Sequence, residues 1–131
     1  MEIHYPTLEK IIEYNLLILE FVKLKNADQS KVLSINKILE VIQECKEKEG
    51  DIYDKAVILL RGLIRKHPFA SGNRRTAFVI TKDFILSNNY KFIIEDDPNL
   101  AKIMQGIREH YYLDEEIKEW LKNGKIRKFE R

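Results

Sequence analysis

From Thr7 to Leu24, Leu8, Ile11, Ile12, Leu16, Leu19 and Val22 recur three or four residues apart with polar side chains among them, the period of an amphipathic helix. Thr7, after Pro6, is suited to cap its start. A polar linker runs from Lys25 to Gln29, and Ser30 can cap a second helix with Val32, Ile35, Leu39 and Ile42 on one face and a stop near Gly50. From Asp51, a suitable cap for a third helix, the pattern changes. Ala56 to Leu60 is uninterruptedly apolar, so this helix is apolar almost all round, as expected of one enclosed by others. His67, Pro68 and Phe69 end it, because the residue before a proline is pushed out of helical geometry.

After a short loop, Asn73 starts a second helix of the same kind, with Ala77, Phe78, Val79, Ile80, Phe84, Ile85 and Leu86 on most sides and Asn88 and Asn89 closing it. Lys91 to Ile94 reads as a short extended piece. Pro98 then opens a helix with Leu100, Ile103, Met104 and Ile107, and Asp114 caps a last one with Ile117, Trp120 and Leu121 that ends at Gly124. The expected fold class is all-α, a compact bundle of about six helices with a loop between two central buried ones. A length of 131 residues fits one domain spanning 1–131, with a basic, mobile tail at 125–131.

Composition narrows the function classes. With 44% hydrophobic and 34% charged residues the chain can bury enough apolar surface to fold. Its formal charge of +2 is too small to drive nucleic-acid or membrane binding by itself, so any basic site must be local. No apolar run approaches the roughly 20 residues of a membrane span, and no basic segment followed by an apolar run opens the chain; a cytoplasmic protein without membrane partners is the expectation. Cys45 is the only cysteine, which excludes an internal disulfide and a cysteine-based zinc site and marks it as a packing residue.

The unusual chemistry is gathered in HPFASGNRRTAF, His67 to Phe78. If Asn73 begins a helix, the backbone amides from Gly72 to Arg75 point outward with the positive end of the helix dipole and form an anion site. Gly72 lets the backbone approach a ligand or take a positive φ, and Arg74 and Arg75 add fork-shaped donors that match phosphate oxygens. Two arginines in a first turn oppose the dipole, which favours an anion as their partner. His67, a short loop away, titrates near neutrality and can take a proton from an attacking hydroxyl. Phe69 is an apolar anchor plugging the loop onto the core.

This segment resembles the motif of the Fic/Doc family, H-x-F-x-[DE]-G-N-[GK]-R-x-x-R in Fic proteins. His67, Phe69, Gly72, Asn73 and Arg75 match, and the opening YPTLEKIIEYN adds a loose likeness. The resemblance implies a helical bundle whose loop binds the phosphates of ATP and transfers part of the nucleotide to a hydroxyl of a protein target. His67 would be the general base, Asn73 and Arg75 phosphate-orienting groups, and the amides near Gly72 the anion hole. Fic members mostly transfer AMP, whereas Doc members are toxins resembling kinases of a translation elongation factor and are neutralised by an antitoxin. Arg74 stands where Doc has Lys, and Phe78 where Fic has its final arginine, so the chain is similar to the Doc side (death on curing).

Ser71 stands where the family has the Asp or Glu that helps hold Mg²⁺, and a neutral hydroxyl is a poor ligand for a hard cation. Mg²⁺ could still arrive bound to the triphosphate. The self-inhibiting stretch of the family, [ST]-x-x-x-E-[GN], has its nearest counterpart in CKEKEG, Cys45 to Gly50, with cysteine in the first place. Restraint by a separate antitoxin is therefore expected rather than restraint in cis.

Plainer readings compete. His67 alone is an ordinary helix-ending histidine, and Pro68 and Gly72 are ordinary loop formers. The chain could be an inactive relative that only binds a nucleotide or a partner protein, because Ser71 replaces the carboxylate. A nucleic-acid binder using Arg74, Arg75 and the basic tail ranks last. His4 and His110 have no ligand-spaced neighbours, and Asp96 and Asp97 read as solvated loop charge.

Overall fold

The computed structural model describes residues 2–21 and 31–130. Among them six α-helices follow one another: α1 (Leu8–Phe21), α2 (Ile35–Glu47), α3 (Ile52–Lys66), α4 (Asn73–Ser87), α5 (Asn99–Arg108) and α6 (Asp114–Asn123). The all-α expectation holds. No described helix is long and apolar enough to cross a membrane.

The fold is organised around α3. Its buried positions run round the whole helix, from Ile52 and Tyr53 through Ala56 to Leu60 and on to Leu63 and Ile64. It touches α2, α4, α5 and α6, while α4 also takes α1 against its other side. At Gly62 a Cβ would lie 2.9 Å from Val41, so the absence of a side chain lets α2 approach α3 closely. Asp51 and Asp54 cap α3 reciprocally, each side chain accepting the other's backbone N–H. Thr7 Oγ1 accepts from Lys10 N–H at 3.1 Å, the cap expected for α1. Cys45 is buried, as expected of a packing residue, and burial pushes its thiol up to about 12.

Several expectations are corrected. The second helix starts at Ile35 with Ser34 as its cap, not after Ser30, which lies outside the described residues. Val32 precedes the helix and forms an isolated antiparallel bridge with Phe69. The buried face of α2 is Ile38, Val41, Ile42 and Cys45, leaving Ile35 and Leu39 half exposed. Both sets obey helical spacing, and contact with α3 decides between them. In α1 the buried line is Ile11, Asn15 and Leu19 rather than one through Leu16, so a polar residue sits where an apolar stripe was expected. Val22, the last residue of that expected stripe, lies outside the described residues.

Leu113 occupies the cap position of α6 and its N–H donates to Glu116 at 3.0 Å, so Asp114 is the first helical residue, not the cap. Lys91 to Ile94 joins no strand. The described part of the tail, residues 125–130, is docked although the tail was expected to be loose. Arg127 pairs with Glu116 and lies 3.9 Å over the Tyr111 ring, while Phe129 meets that ring edge-on at 5.0 Å. Ile126 and Phe129, set among the basic residues, supply the apolar contact that holds it.

Candidate active site

The segment His67–Gly72 leaves the end of α3 and enters α4 held from two sides. Pro68 O accepts from the amides of Leu33 and Ser34 at 2.8 and 3.2 Å, and Ala70 N–H donates to Lys31 O at 2.9 Å. On the other side Asn15 of α1, fully buried, donates through Nδ2 to Ser71 O at 2.9 Å and to Thr76 Oγ1 at 3.1 Å. Phe69 is 1% exposed and plugs the loop onto the core, as expected of an anchor. A connector tied by this many polar contacts is fixed before any ligand arrives.

Gly72 takes the left-handed conformation, φ 77°, immediately before α4. A side chain there would be strained, and its Cβ would lie 3.2 Å from both Asn15 Nδ2 and Leu19. No side chain caps the helix. The first intrahelical bond is Thr76 N–H to Gly72 O at 2.9 Å, so the amides of Asn73, Arg74 and Arg75 have no carbonyl one turn earlier to bond. They meet a cavity of about 240 Å³ lined by Ile64, His67, Ala70, Ser71, Gly72, Asn73, Arg74, Arg75 and Arg108. Among the described residues no carboxylate lines it. The expected loop residues therefore come together, with helix-end amides and arginines around one space suited to an anion.

Arg108 was not foreseen. It closes α5, where a basic residue merely complements the helix dipole, so nothing in its local pattern singles it out. Arg65 of α3 places it, donating from Nε to Ile107 O at 2.9 Å and fixing the end of α5 beside the loop. Burial holds the His67 imidazole below its ordinary value, helped by the positive charges of Arg108, of Lys37 in the first turn of α2, and of Arg74. The ring is consequently neutral at pH 7.

Asn73 departs from expectation. Its side chain is turned inward, 5% exposed. Oδ1 accepts from Phe69 N–H at 3.0 Å, and Nδ2 reaches Phe69 O at 2.8 Å and His67 Nδ1 at 3.1 Å. The amide group that was to orient phosphate instead shapes the loop and grips the histidine, and only its backbone N–H is left for an anion. His67 itself adopts a left-handed conformation, φ 51°, a cost that this grip helps offset.

A wider groove of about 910 Å³ opens on the far side of the same two arginines, with Phe78, Val79, Leu100 and Met104 in its apolar lining and Lys82, Asp83, Asp96 and Asp97 also bordering it. Arg75 and Asp96, both exposed, approach to 3.5 Å across it. Asp97 Oδ1 accepts from Asn99 N–H at 2.8 Å. The acidic turn is thus spent on a surface ion pair and on the entry to α5.

A model of the Fic/DOC family matches residues 9–85, more than half of the chain and the whole of α2 and α3 with the loop that follows. The chain belongs to the Fic/DOC family. Members of this family generally transfer nucleotide groups to protein targets. No curated protein matches the chain. In this Fic/DOC chain the matched span ends at Ile85, so Arg108 is contributed from beyond it.

The residues do not fit a protein-held Mg²⁺. Ser71 is at the position where the resemblance puts a carboxylate, the cavity has none, and no cluster of three His, Cys, Asp or Glu side chains occurs among the described residues. CKEKEG lies where α2 passes into α3, about 20 Å from His67 at 1.5 Å of rise per residue over the 15 residues of α3.

Proposed function

We propose that this Fic/DOC chain is a Doc-like transferase, a toxin held in check by a separate antitoxin, which moves the γ-phosphoryl group of ATP onto a hydroxyl of a protein target. The observation that carries the proposal is the cavity of amides and guanidinium groups wrapped round a neutral histidine at the start of α4. At about 240 Å³ it is smaller than the ~300–1,000 Å³ of a typical small-molecule pocket and accepts the phosphate end, while the groove beyond Arg74 and Arg75 has room for sugar and base.

In the transfer the bond from Pγ to its bridging oxygen breaks, the target oxygen bonds to phosphorus, and ADP leaves with the bridging electrons. The target hydroxyl gives up its proton. Among the described residues lining the cavity only His67 can accept one near neutral pH. Arg74, Arg75 and Arg108 offset the charge of the phosphoryl oxygens.

Phosphoryl rather than AMP transfer is favoured by Phe78. It stands where a Fic protein has its last arginine, is 7% exposed and packs edge-on against Phe92 at 5.6 Å. That position lies in the core and provides no second phosphate clamp. The absence of a carboxylate from the cavity favours one alternative, a relative that binds nucleotide or partner without turnover.

Purified protein incubated with cell extract and labelled ATP separates the readings. Label from the γ-position on a protein band, lost in His67→Ala, supports the kinase; label from the α-position means AMP transfer. No transfer from either position with any divalent metal refutes the enzyme. In that case Ser71→Asp should confer Mg²⁺-dependent ATP binding on a chain that lacks it.

A further inference from the structure

The orientation of the Asn73 side chain does not depend on how the histidine is protonated. Phe69 N–H can only donate and Phe69 O can only accept, so the two contacts at 3.0 and 2.8 Å place Oδ1 on the first and Nδ2 on the second. The remaining hydrogen of Nδ2 is then aimed at His67 Nδ1, 3.1 Å away. An amide hydrogen there requires a lone pair on Nδ1. The neutral ring must carry its own proton on Nε2.

We infer that Asn73 is a tautomer lock on His67: in the resting site it holds the imidazole with Nε2 protonated, so that the ring donates to a bound phosphate and becomes a base only when the Asn73 contact breaks. The inference rests on the transferase reading above for its consequence, but not for its geometry. A general base needs an unprotonated nitrogen facing the hydroxyl. Here the unprotonated nitrogen faces Asn73, and among the described residues Nε2 has no hydrogen-bond partner of its own.

The charged groups facing His67 act in the same direction. Burial first, then Arg108 from α5, Lys37 from α2 and Arg74 from α4, all oppose a second proton on the ring and hold its titration below the ordinary value. The resting cavity thereby offers an anion several donors: the amides of Asn73 to Arg75, the three arginines and the Nε2–H. Proton uptake from a hydroxyl then awaits a rearrangement of the His67–Asn73 pair. Arrival of the target substrate, which needs the lone pair, would be coupled to loss of the Asn73 Nδ2–His67 Nδ1 contact.

Nitrogen-15 NMR of the histidine-labelled full chain at pH 8 tests this directly, with signals assigned by their loss in His67→Gln. In the parent, Nδ1 should resonate as a pyridine-type nitrogen and Nε2 as a pyrrole-type one, with the preference raised about fivefold over that of a free imidazole, the bias that one further hydrogen bond of ordinary strength gives. In Asn73→Asp the carboxylate accepts from Nδ1–H instead, and the two nitrogens should exchange character. Nδ1 protonated in the parent, or the same tautomer ratio in parent and folded Asn73→Asp, overturns the lock. Should Asn73→Asp fail to fold, Asn73→Ser takes its place: a fall of the tautomer ratio to that of a free imidazole supports the lock, and an unchanged ratio overturns it. Inorganic phosphate added to the parent tests the anion site separately: a shifted Nε2 signal supports it, and no shift at saturating phosphate removes the anion reading without touching the tautomer result.

Discussion

Asn15 is the residue by which the geometry of the loop can be tested most sharply, because it lies in another helix and does not line the cavity. Its Nδ2 donates to the carbonyl of Ser71, just before Gly72, and to the hydroxyl of Thr76 in the first turn of α4. Replacing it by Ala removes both bonds inside the protein. A net hydrogen bond contributes about 1 kcal/mol, and a buried acceptor left without its donor costs about 1–3 kcal/mol. The Thr76 hydroxyl can rotate, whereas the Ser71 carbonyl is fixed in the loop. The expected loss is therefore about 2–4 kcal/mol, set against the 5–15 kcal/mol of a typical domain. For a chain of this size the melting midpoint should fall by roughly 10 °C.

Urea unfolding followed by circular dichroism measures that loss, and an unchanged dependence on urea would show that the same fold is being compared. Phosphate binding should weaken in step, since Ser71 O and Thr76 flank the amides that meet the anion. Asn15→Asp should behave like Asn15→Ala, because a carboxylate cannot donate to Ser71 O. A loss below about 0.5 kcal/mol, the scatter of ordinary surface changes, would refute the claim that α1 holds the loop. So would a large loss in stability with undiminished phosphate binding per folded molecule.

Three further outcomes follow from the same geometry. Arg108→Gln should weaken inorganic phosphate binding about tenfold, as expected for losing one charge-assisted contact, and should move the His67 titration up towards its ordinary value; unchanged affinity and titration by NMR would remove Arg108 from the site. His67 is held below its ordinary value in the fold, so on acidification the unfolded chain takes up this proton first and the native state loses stability. Stability from this group should be flat above about pH 6.5 and fall as pH drops towards the lower folded value, which urea midpoints of the parent and His67→Gln at pH 7.5 and 5.5 will show as a smaller fall in the variant. Phe69→Ala should cost about 3–5 kcal/mol as a buried aromatic is lost, and a smaller loss in the same urea assay would mean that the loop is not anchored through the ring.

Helix identity was readable wherever one physical rule dominates. Ala56 to Leu60 must be enclosed, Pro68 must end α3, and Gly124 closes α6 at φ 73° as its place after the last apolar residue suggests. Helix rotation was not readable in α1 and α2. Ile35 and Leu39 compete with Ile38 and Val41 on equal spacing, and the tie is broken by Gly62, which opens α3 to Val41 but says nothing in the local sequence of α2. Asn15 hides for a related reason. A lone asparagine in an apolar stripe looks like an interruption until its carbonyl partner, 56 positions later, is brought beside it.

The site shows the same division between local and distant causes. His67, Gly72, Arg74 and Arg75 were legible because the chemistry of a helix start is contained in the few residues around it: a positive φ, unpaired amides, cations against the dipole. What those residues do is decided elsewhere. Burial lowers the titration of His67 most, and Arg108 and Lys37 lower it further from unremarked positions on the last and first turns of other helices, meeting the ring only through tertiary packing. Arg65 ties the α5 end to α3, so the cation beside the histidine is as firmly placed as the loop itself. Asn73 is the sharpest case, since its residue type and spacing match a phosphate ligand, yet two bonds to Phe69 turn its side chain away from the cavity and onto the imidazole. On the proposed reading, anion binding and control of the proton would thus meet in one residue, acting through its backbone in the first role and through its side chain in the second.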